Sequence, residues 1–495
     1  MTSRYIYVLF FLLIYCNTWA QKITFISSKD STIIHRIAAQ AFDMDNKIVG
    51  EYKSDENGVV DLTSVLNGNI VEIFATGFES RTFVKTNELP KKITLHPISK
   101  RMDEFVVTGQ MHQTYIGDAI QTVRVISSKK IEQMGAQNLT QLFSNELNIQ
   151  LSNDPILGSS LSLQGISGEN IKLLIDGVPM IGRMNGSVDL DQVNINNVER
   201  IEIIEGPLSV NYGSDALAGT INIITKSNAG SKYNARVRGH YESNGTYNTQ
   251  LDASTAFKKT TLGMDLNRNF FDGWNPDENA FRIEKEEIAN ASRHKLFKAR
   301  EQIFGGLKLT QRLNDYKHSH PLMLTVSSRY FTELIENNGT PLAPYGIRAI
   351  DETYKTLRID NSVSVNGRIA DKWTINSVNS YNYFNRRKNS FINDLTSISL
   401  SPSHSASDHD TSSFDLFLSR TSFIYNHSDK FQYEFGYDVN YESSRGVRID
   451  ENIKAMGDYA FFTTAEYKPW KKLTIKPGLR GSYNSIYNAP IIPSI

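Results

Sequence analysis

The sequence predicts a mainly β protein that combines a small N-terminal β-sandwich, a mixed α/β unit and a long run of antiparallel strands from a transmembrane barrel. Three observations favour this architecture. The 495 residues include 23 Tyr and 25 Phe although only 40% are hydrophobic, which is typical of many amphipathic strands. From residue 235 onward, polar and apolar residues alternate with a period of two. The connections between these strands are short and long in turn, as in transmembrane barrels.

The first twenty residues predict a signal peptide, so the protein is expected to be exported. Arg4 provides the positive start, Tyr5–Tyr15 form an uncharged apolar stretch, and Thr18-Trp19-Ala20 places small residues at the cleavage positions. The alternative, a membrane anchor, needs roughly 20 apolar residues. Cys16 is the only cysteine and would leave with the signal, so we expect no disulfide and no thiolate site in the mature chain.

Charge and motif content exclude several functions. Lys+Arg and Asp+Glu are both 53, which argues against nucleic acid as a partner. Without a His-Glu zinc motif, a phosphate-binding loop or a nucleophile constellation, we expect neither an enzyme nor a cofactor. His404, Asp408, His409 and Asp410 lie close together and could hold a metal. Because serines surround them, we interpret this stretch as a solvated loop and predict no metal site.

Residues 21–99 predict the sandwich, because short apolar segments alternate with turn residues there. Val71–Ala75 is one such strand, and Asn57-Gly58 is the pair favoured in hairpins. A resemblance to a known domain rests on Asp55–Gly58, Gly77-Phe78-Glu79 and Ile93–His96. On these residues the unit resembles the carboxypeptidase regulatory-like domain, which precedes many receptors of one exported class.

Residues 119–228 predict the mixed α/β unit. Val123–Ile126 predicts a strand, Ser127 or Ser128 can cap a first helix, and Asn138 can cap a second one with Gln141 three residues later. Further strands alternate with glycine-rich turns. These strands are Ile171–Ile175, Val198–Ile204 and Ile221–Ile224.

Two stretches of this unit carry a longer resemblance. The first is Gln164-Gly165 followed by Leu173–Pro179. The second comprises Val198–Glu202, Glu205-Gly206-Pro207, Ser209, Tyr212-Gly213, Ala216, Gly219 and Ile221–Thr225. In this order they resemble the plug domain of the TonB-dependent outer-membrane receptors. Gln164 stands where the family usually has arginine, and Ala218 stands where it usually has glycine.

The linker 100–118 contains a short β-prone run whose exposed backbone can pair with the sheet edge of a partner. Its position before the plug-like unit resembles the TonB box of the family. The resemblance implies that this run recruits the energy-transducing protein TonB. The residues concerned are Asp103, Glu104, Phe105, Val106, Val107 and Thr108.

Residues 229–495 predict the first half of a barrel surrounded by outer-membrane lipid. Phe431–Glu442 is the clearest strand, with apolar residues at odd and polar residues or glycine at even positions. Long polar connections at 273–300, 335–352 and 391–411 are expected to lie outside the cell. The eleven expected strands are 235–242, 246–257, 260–272, 301–313, 321–334, 353–370, 373–390, 412–427, 430–445, 455–469 and 472–486. Because plugged transporters have about 22 strands, we expect a truncated sequence.

The resemblance implies active, TonB-dependent transport of a scarce nutrient across the outer membrane. Glu205-Gly206-Pro207 and Tyr212–Ala216 resemble receptors for iron-siderophores, haem or vitamin B12, so the expected ligand is a metal chelate or a corrinoid. The alternatives are uptake of a polysaccharide or oligosaccharide, a ligand-sensing signal transducer, and a remnant without transport. The ligand contacts expected from the plug apices are Asn153, Asp154, Arg183, Met184 and Asn185.

Overall fold

The chain divides into two compact units, residues 1–105 and 106–495, and each is considered by itself. The computed structural model describes residues 21–28, 32–43, 47–75, 78, 80–86, 88–95, 105–106, 114–115, 123–184, 186–206, 216–226, 232–275, 293–314, 321–343, 345–428, 430–470, 473–488 and 491–494. The predicted signal peptide lies outside these residues. Among the described residues, no helix has the length and apolar character needed to cross a membrane.

The first unit is a β-sandwich, as predicted. Its strands are β1 (Lys22–Ser27), β2 (Ile37–Phe42), β3 (Ile48–Lys53), β4 (Val59–Asp61), β5 (Ile70–Ala75), β6 (Arg81–Val84) and β7 (Lys92–Leu95). They form one sheet in the order β4-β1-β7 and another in the order β3-β2-β5-β6. Alternate side chains such as Phe25, Val60 and Ile73 are buried completely and form a shared core.

The Asn57-Gly58 turn exists, but the expectation of a hairpin there is wrong. Asp55 Oδ1 accepts hydrogen bonds from the backbone N–H groups of Asn57 and Val59, and Gly58 has a φ of 75°. The two flanking strands belong to different sheets, because β3 pairs with β2 and β4 pairs with β1. The turn therefore carries the chain across the sandwich. The residue pair Asn57-Gly58 predicts the local turn, whereas the packing of the two sheets decides which strands pair with each other.

The second unit begins with a mixed α/β part, here called the α/β unit (residues 123–226). The strands β8 (Phe105–Val106) and β9 (Thr114–Tyr115) precede it. It contains β10 (Val123–Ser127), α1 (Ser128–Met134), α2 (Leu139–Phe143), β11 (Ile149–Asp154), β12 (Gly158–Leu163), β13 (Ile166–Ser167), β14 (Ile171–Ile175), β15 (Val178–Pro179), β16 (Val198–Glu205) and β17 (Gly219–Thr225). Short 3₁₀ helices cover Gly168–Asn170, Leu190–Gln192 and Ile195–Asn197.

The α/β unit is organised around a five-stranded sheet in the order β10-β16-β17-β14-β15, with β11-β12-β13 as a separate small sheet. The predicted helix caps are confirmed. Ser127 accepts from the backbone N–H of Lys130, and Asn138 Oδ1 accepts from that of Gln141 at 2.8 Å. Leu139, Leu142 and Phe143 are buried in the core of this unit.

The described residues from 232 onward form one antiparallel sheet of fourteen strands. They are β18 (Tyr233–Glu242), β19 (Thr246–Phe257), β20 (Thr260–Phe271), β21 (Ala299–Arg312), β22 (Met323–Asn337), β23 (Arg348–Ala370), β24 (Trp373–Asp394), β25 (Ser399–Pro402), β26 (Asp410–Ser428), β27 (Phe431–Gly446), β28 (Ile453–Trp470), β29 (Leu473–Ile475), β30 (Gly478–Asn484) and β31 (Ile492–Ser494). Strands β20, β22 and β24 end, and β21, β23 and β26 begin, at the same end of the antiparallel sheet, which we call the long-loop end.

The predicted strands correspond closely to this sheet, since each of the first ten matches one long strand. The eleventh, 472–486, is divided into β29 and β30. Pro477 lies in the gap, and proline has no N–H to give to a ladder. The short strands β25 and β31 were not predicted; β25 folds back onto β24, and β31 pairs with β30.

Burial in the large sheet is reversed relative to a water-soluble protein. On β27, Phe435 and Tyr441 are 39% and 47% exposed, whereas Asp438 between them is 1% exposed. The buried carboxylate of Asp438 pairs with Arg420 at 2.8 Å and with Arg480 at 3.2 Å. An apolar outer face and a polar inner face are the pattern of a barrel wall that separates lipid from a polar lumen.

Candidate functional site

A tight turn brings the α/β unit to the inner face of the large sheet. Asp176 and Gly177 have φ values of 50° and 82°, and Ile175 pairs with Val178 on either side. Positive φ at both central residues defines the type I′ hairpin, for which Asp-Gly is a preferred pair. The Asp-Gly pair of the plug-like signature therefore suits the backbone of this turn.

Asp176 connects this turn to two strands of the sheet. Its carboxylate lies 3.7 Å from Lys308 Nζ on β21 and 3.4 Å from Arg329 on β22. Thr225 adds hydrogen bonds from its backbone N–H at 2.9 Å and from its hydroxyl at 2.6 Å. Burial alone would raise the pKa of Asp176, but the two cations and the hydrogen bonds outweigh it and lower the pKa below its ordinary value of 3.8.

A second set of contacts joins the 3₁₀ helix Leu190–Gln192 to the sheet. Asp191 pairs with Arg300 at 3.2 Å, and its carbonyl oxygen accepts from Gln302 Nε2 at 3.1 Å. Gln192 Nε2 donates to Glu333 at 3.2 Å. Burial raises the pKa of the neighbouring Asp189, because Arg300 only partly offsets it. The helix is thus held by charge-assisted bonds in a dry environment, where each is strong.

Arg358 on β23 anchors a third contact. Its Nη2 donates to the carbonyl of Ile181 at 3.1 Å and to Gln192 Oε1 at 3.0 Å. The guanidinium lies 6.0 Å from the ring centre of Phe331 and 5.3 Å from that of Phe384. Such cation–π contacts hold the guanidinium in place between the two rings.

A cavity of about 480 Å³ opens toward the long-loop end, between the α/β unit and strands β19 to β21. Two of the predicted ligand residues, Asn153 and Asp154, line it at the tip of the β11-β12 hairpin. The Asp154 carboxylate also accepts from the backbone N–H groups of Ile156 and Leu157, which fixes the tip. This volume falls within the range of about 300–1,000 Å³ that is usual for small-molecule sites.

The other predicted ligand residues lie on a different loop. Arg183 donates to the carbonyl oxygens of Gly168 at 3.3 Å and Ile171 at 3.2 Å, so its side chain bonds within the α/β unit. Met184 forms an isolated bridge with Ser187. Asn185 lies outside the described residues. Nothing in these contacts tests the role predicted for this loop, and that role stays a prediction.

The predicted TonB box is described only in part. Phe105 and Val106 form the short strand β8, which agrees with the β-prone character of the run. Asp103, Glu104, Val107 and Thr108 lie outside the described residues. Recruitment of TonB by this segment therefore remains a prediction.

The histidine-rich stretch near residue 404 is held by its own hydrogen bonds. The hydroxyl of Ser403 bonds to Asp408, and a ring nitrogen of His409 lies 3.0 Å from the Ser403 carbonyl oxygen. Asp410 pairs with Arg448 at 3.1 Å. Within the part of the chain that the structure describes, no group of three or more His, Cys, Asp or Glu side chains could hold a metal ion.

Sequence reasoning missed the sheet residues of these contacts, chiefly Arg300, Glu333 and Arg358. Alternation places all three on the inner face of their strands, and this signal was available. The sequence gives no signal for their position along the strand or for their partners in the α/β unit, because partners such as Asp191 and Arg300 are 109 residues apart.

Comparisons with known proteins agree with this architecture. The model of the TonB-dependent receptor plug domain matches residues 116–220. The vitamin B12 transporter BtuB of Vibrio vulnificus is 33% identical over 132 residues, which are 26% of this chain and 22% of that protein. The matched region therefore spans about a fifth of the curated relative.

Solved structures extend the similarity to the large sheet. A point mutant of the ferric enterobactin receptor PfeA from Pseudomonas aeruginosa has a TM-score of 0.58 at 17% identity, over 79% of this chain and 60% of that one. Pseudomonas aeruginosa FpvA bound to heterologous pyoverdines has a TM-score of 0.55 at 13% identity, over 82% and 58%. At these identities the likeness concerns the fold. Residues 116–220 are therefore similar to the plug domain of TonB-dependent receptors, and the sheet that follows shares the fold of the solved receptor structures.

Proposed function

We propose that this chain captures a scarce nutrient at the outer membrane and passes it inward by active, TonB-dependent transport. The nutrient class is an iron-siderophore, haem or a cobalamin. The observation that carries the proposal is the position of the α/β unit, which ion pairs hold on the polar inner face of the sheet. A cavity lies between this unit and the sheet near the long-loop end. The names of similar proteins, a vitamin B12 transporter and a ferric enterobactin receptor, support this class.

The contacts between the α/β unit and the sheet suit a unit that blocks the lumen at rest and is displaced when force is applied to it. Asp176 and Asp191 each bind cations of the sheet, so polar contacts help to hold the α/β unit in place. Charge-assisted hydrogen bonds hold only over short distances, so a small displacement breaks them and lets water replace them. Pulling through the Asp103–Gly109 segment would supply that displacement.

The proposal is tested by uptake in cells that carry the whole receptor. Labelled cyanocobalamin, haem and ferric enterobactin are offered to cells with and without the receptor gene, and with and without TonB. We expect accumulation of at least one probe that requires both proteins. Binding at the surface should persist when TonB is absent, because capture and coupling use different parts of the chain.

The same cells separate transport from signalling. If accumulation does not depend on the receptor while transcription of neighbouring genes responds to a probe, the chain is a sensor and the transport proposal fails. Dependence on the receptor but not on TonB would remove the coupling half of the proposal.

A further inference from the structure

Two adjoining cavities lie on one side of the α/β unit, against strands β18 to β21. Their volumes are about 410 and 480 Å³, and Gln137 and Asn248 line both. Each is large enough for part of a small-molecule ligand. Together they form one continuous lined surface that begins at the long-loop end.

Carboxamide side chains dominate the sheet side of these cavities. Asn248 lies opposite Asn269 and Gln250 lies opposite Asn267 in the β19-β20 register, and Asn269 lies opposite Gln302 on β21. Because positions two apart on a strand share a face, the five side chains stand together on the inner face. We call Asn248, Gln250, Asn267, Asn269 and Gln302 the amide patch.

The amide patch has hydrogen-bonding capacity that the described residues do not use. Gln250 and Asn267 are 5% and 4% exposed and both line the smaller cavity. Gln250 Oε1 and Asn267 Oδ1 nevertheless have no hydrogen-bond partner among the described residues. A buried amide oxygen left without a partner costs about 1–3 kcal/mol, so a ligand or water that donates to it is favoured.

Several charged groups around the cavities are already paired within the protein, and the lining lysines Lys226 and Lys298 donate to backbone carbonyl oxygens. Arg238 donates to Glu132 at 2.8 Å, and a ring nitrogen of His240 lies 2.8 Å from Glu242. Arg300 is bound to Asp191. An anionic ligand would have to break these pairs, whereas a neutral polar ligand would leave them intact.

The larger cavity also offers an apolar wall. Phe271 and Phe297 line it beside the amide side chains of Asn153 and Asn269. Aromatic rings provide a large apolar contact, and the polar groups around them fix the orientation of a ligand.

We propose that the amide patch binds an uncharged ligand that is rich in amide or hydroxyl groups and has an apolar face. Carboxamides donate and accept at once, so they match the neutral polar edge of such a ligand, whereas an anionic ferric catecholate would have to draw arginine or lysine side chains away from their partners in the protein. A corrinoid, with amide side chains around its ring, and an oligosaccharide share this chemistry. This inference rests on the proposed transport function; of the nutrients proposed there it favours the cobalamin, and it adds an oligosaccharide of the same polar chemistry.

The test measures binding to the whole receptor in isolated outer membranes. The probes are cyanocobalamin, maltoheptaose and ferric enterobactin, which separate the corrinoid, the oligosaccharide and the anionic chelate. The variants are Asn248→Ala/Asn269→Ala, Asn248→Lys and the control Asn366→Ala, which lines a cavity near the other end of the sheet. We expect one neutral probe to bind most tightly, and the double variant to weaken it at least about tenfold, as lost hydrogen bonds to a ligand predict.

Asn248→Lys should weaken the neutral probe and strengthen ferric enterobactin, while Asn366→Ala should change neither. Tightest binding of ferric enterobactin to the unaltered receptor, no binding of any probe, or equal binding by the double variant and the control would each overturn the inference. TonB-dependent uptake of ferric enterobactin that the double variant leaves unchanged would refute this inference and support the proposed function. Binding of a neutral probe at the amide patch without TonB-dependent uptake would support this inference and refute the proposed function.

Discussion

At the scale of single residues, Asp176 forms ion pairs that join the α/β unit to the large sheet. Asp176→Asn keeps the shape of the side chain but leaves Lys308 and Arg329 beside a neutral amide. We expect the free energy of unfolding of the α/β unit to fall by about 1–3 kcal/mol. The measurement is the urea midpoint at which trypsin cuts this unit in outer membranes. The control Glu199→Gln alters a carboxylate that is 43% exposed, so the free energy of unfolding should change by less than about 0.5 kcal/mol.

The same carboxylate predicts a pH dependence. Its pKa is lowered in the folded protein, so its contribution to stability is complete above the ordinary value of 3.8 and disappears as the pH falls through the lower folded value. Trypsin midpoints of the unaltered receptor and Asp176→Asn, measured with an acid pulse between pH 6 and pH 2, should therefore converge only below about pH 4. A difference that is already lost at pH 5 would contradict the ion-paired geometry.

Gly182 separates packing from backbone strain. It has a φ of 85°, and a Cβ there would lie 2.5 Å from the ring of Phe384. Gly206 has a φ of 98°, and no atom of the described residues lies within 4 Å of its Cβ position, so Gly206→Ala is the variant that reports strain. We expect Gly182→Ala to lower the free energy of unfolding of the α/β unit more than Gly206→Ala does, by about 1–3 kcal/mol, because of overpacking. The measurement is again the urea midpoint of trypsin cleavage. Equal effects would mean that Phe384 moves away without cost.

At the scale of elements, the Asp103–Gly109 segment is expected to act through its backbone. Val106→Pro removes an N–H that strand pairing needs, so it should abolish TonB-dependent uptake while surface binding stays unchanged. Val106→Ala keeps the N–H and is the matched control, with near-normal uptake expected. Loss of surface binding in the proline variant, or normal uptake by it, would count against this segment as the TonB box.

At the scale of the whole molecule, the first unit has its own sheets and its own core. Among the described residues, fourteen buried apolar ones form that core, including Phe25 and Ile73, and all of them belong to the first unit. We expect residues 21–105 produced alone to unfold in one cooperative urea transition, followed by circular dichroism. Val71→Ala should shift that transition by about 1–3 kcal/mol because it empties part of the core, while the exposed Leu66→Ala should not. A gradual transition without a baseline would contradict an independent unit.

The sequence by itself determined the local properties of this protein. Alternation along Phe431–Glu442 predicts both the strand and its polar inner face, because successive side chains of any strand point to opposite sides. Asn138 and Gln141 predict a helix start because the cap involves only neighbouring residues. The Asp176-Gly177 turn follows likewise from the conformational preferences of two adjacent residues.

Only the tertiary structure decided which distant residues meet. Alternation assigns Arg300 and Asn248 to the inner face, but the register between strands, the curvature of the sheet and the seat of the α/β unit set their height and their partners. The Asn57-Gly58 turn joins two sheets for the same reason: pairing is chosen by burial of the whole sandwich core, to which residues far apart in the chain contribute. A sequence pattern carries the direction of each side chain, whereas a site needs distances across the fold, and those arise from packing.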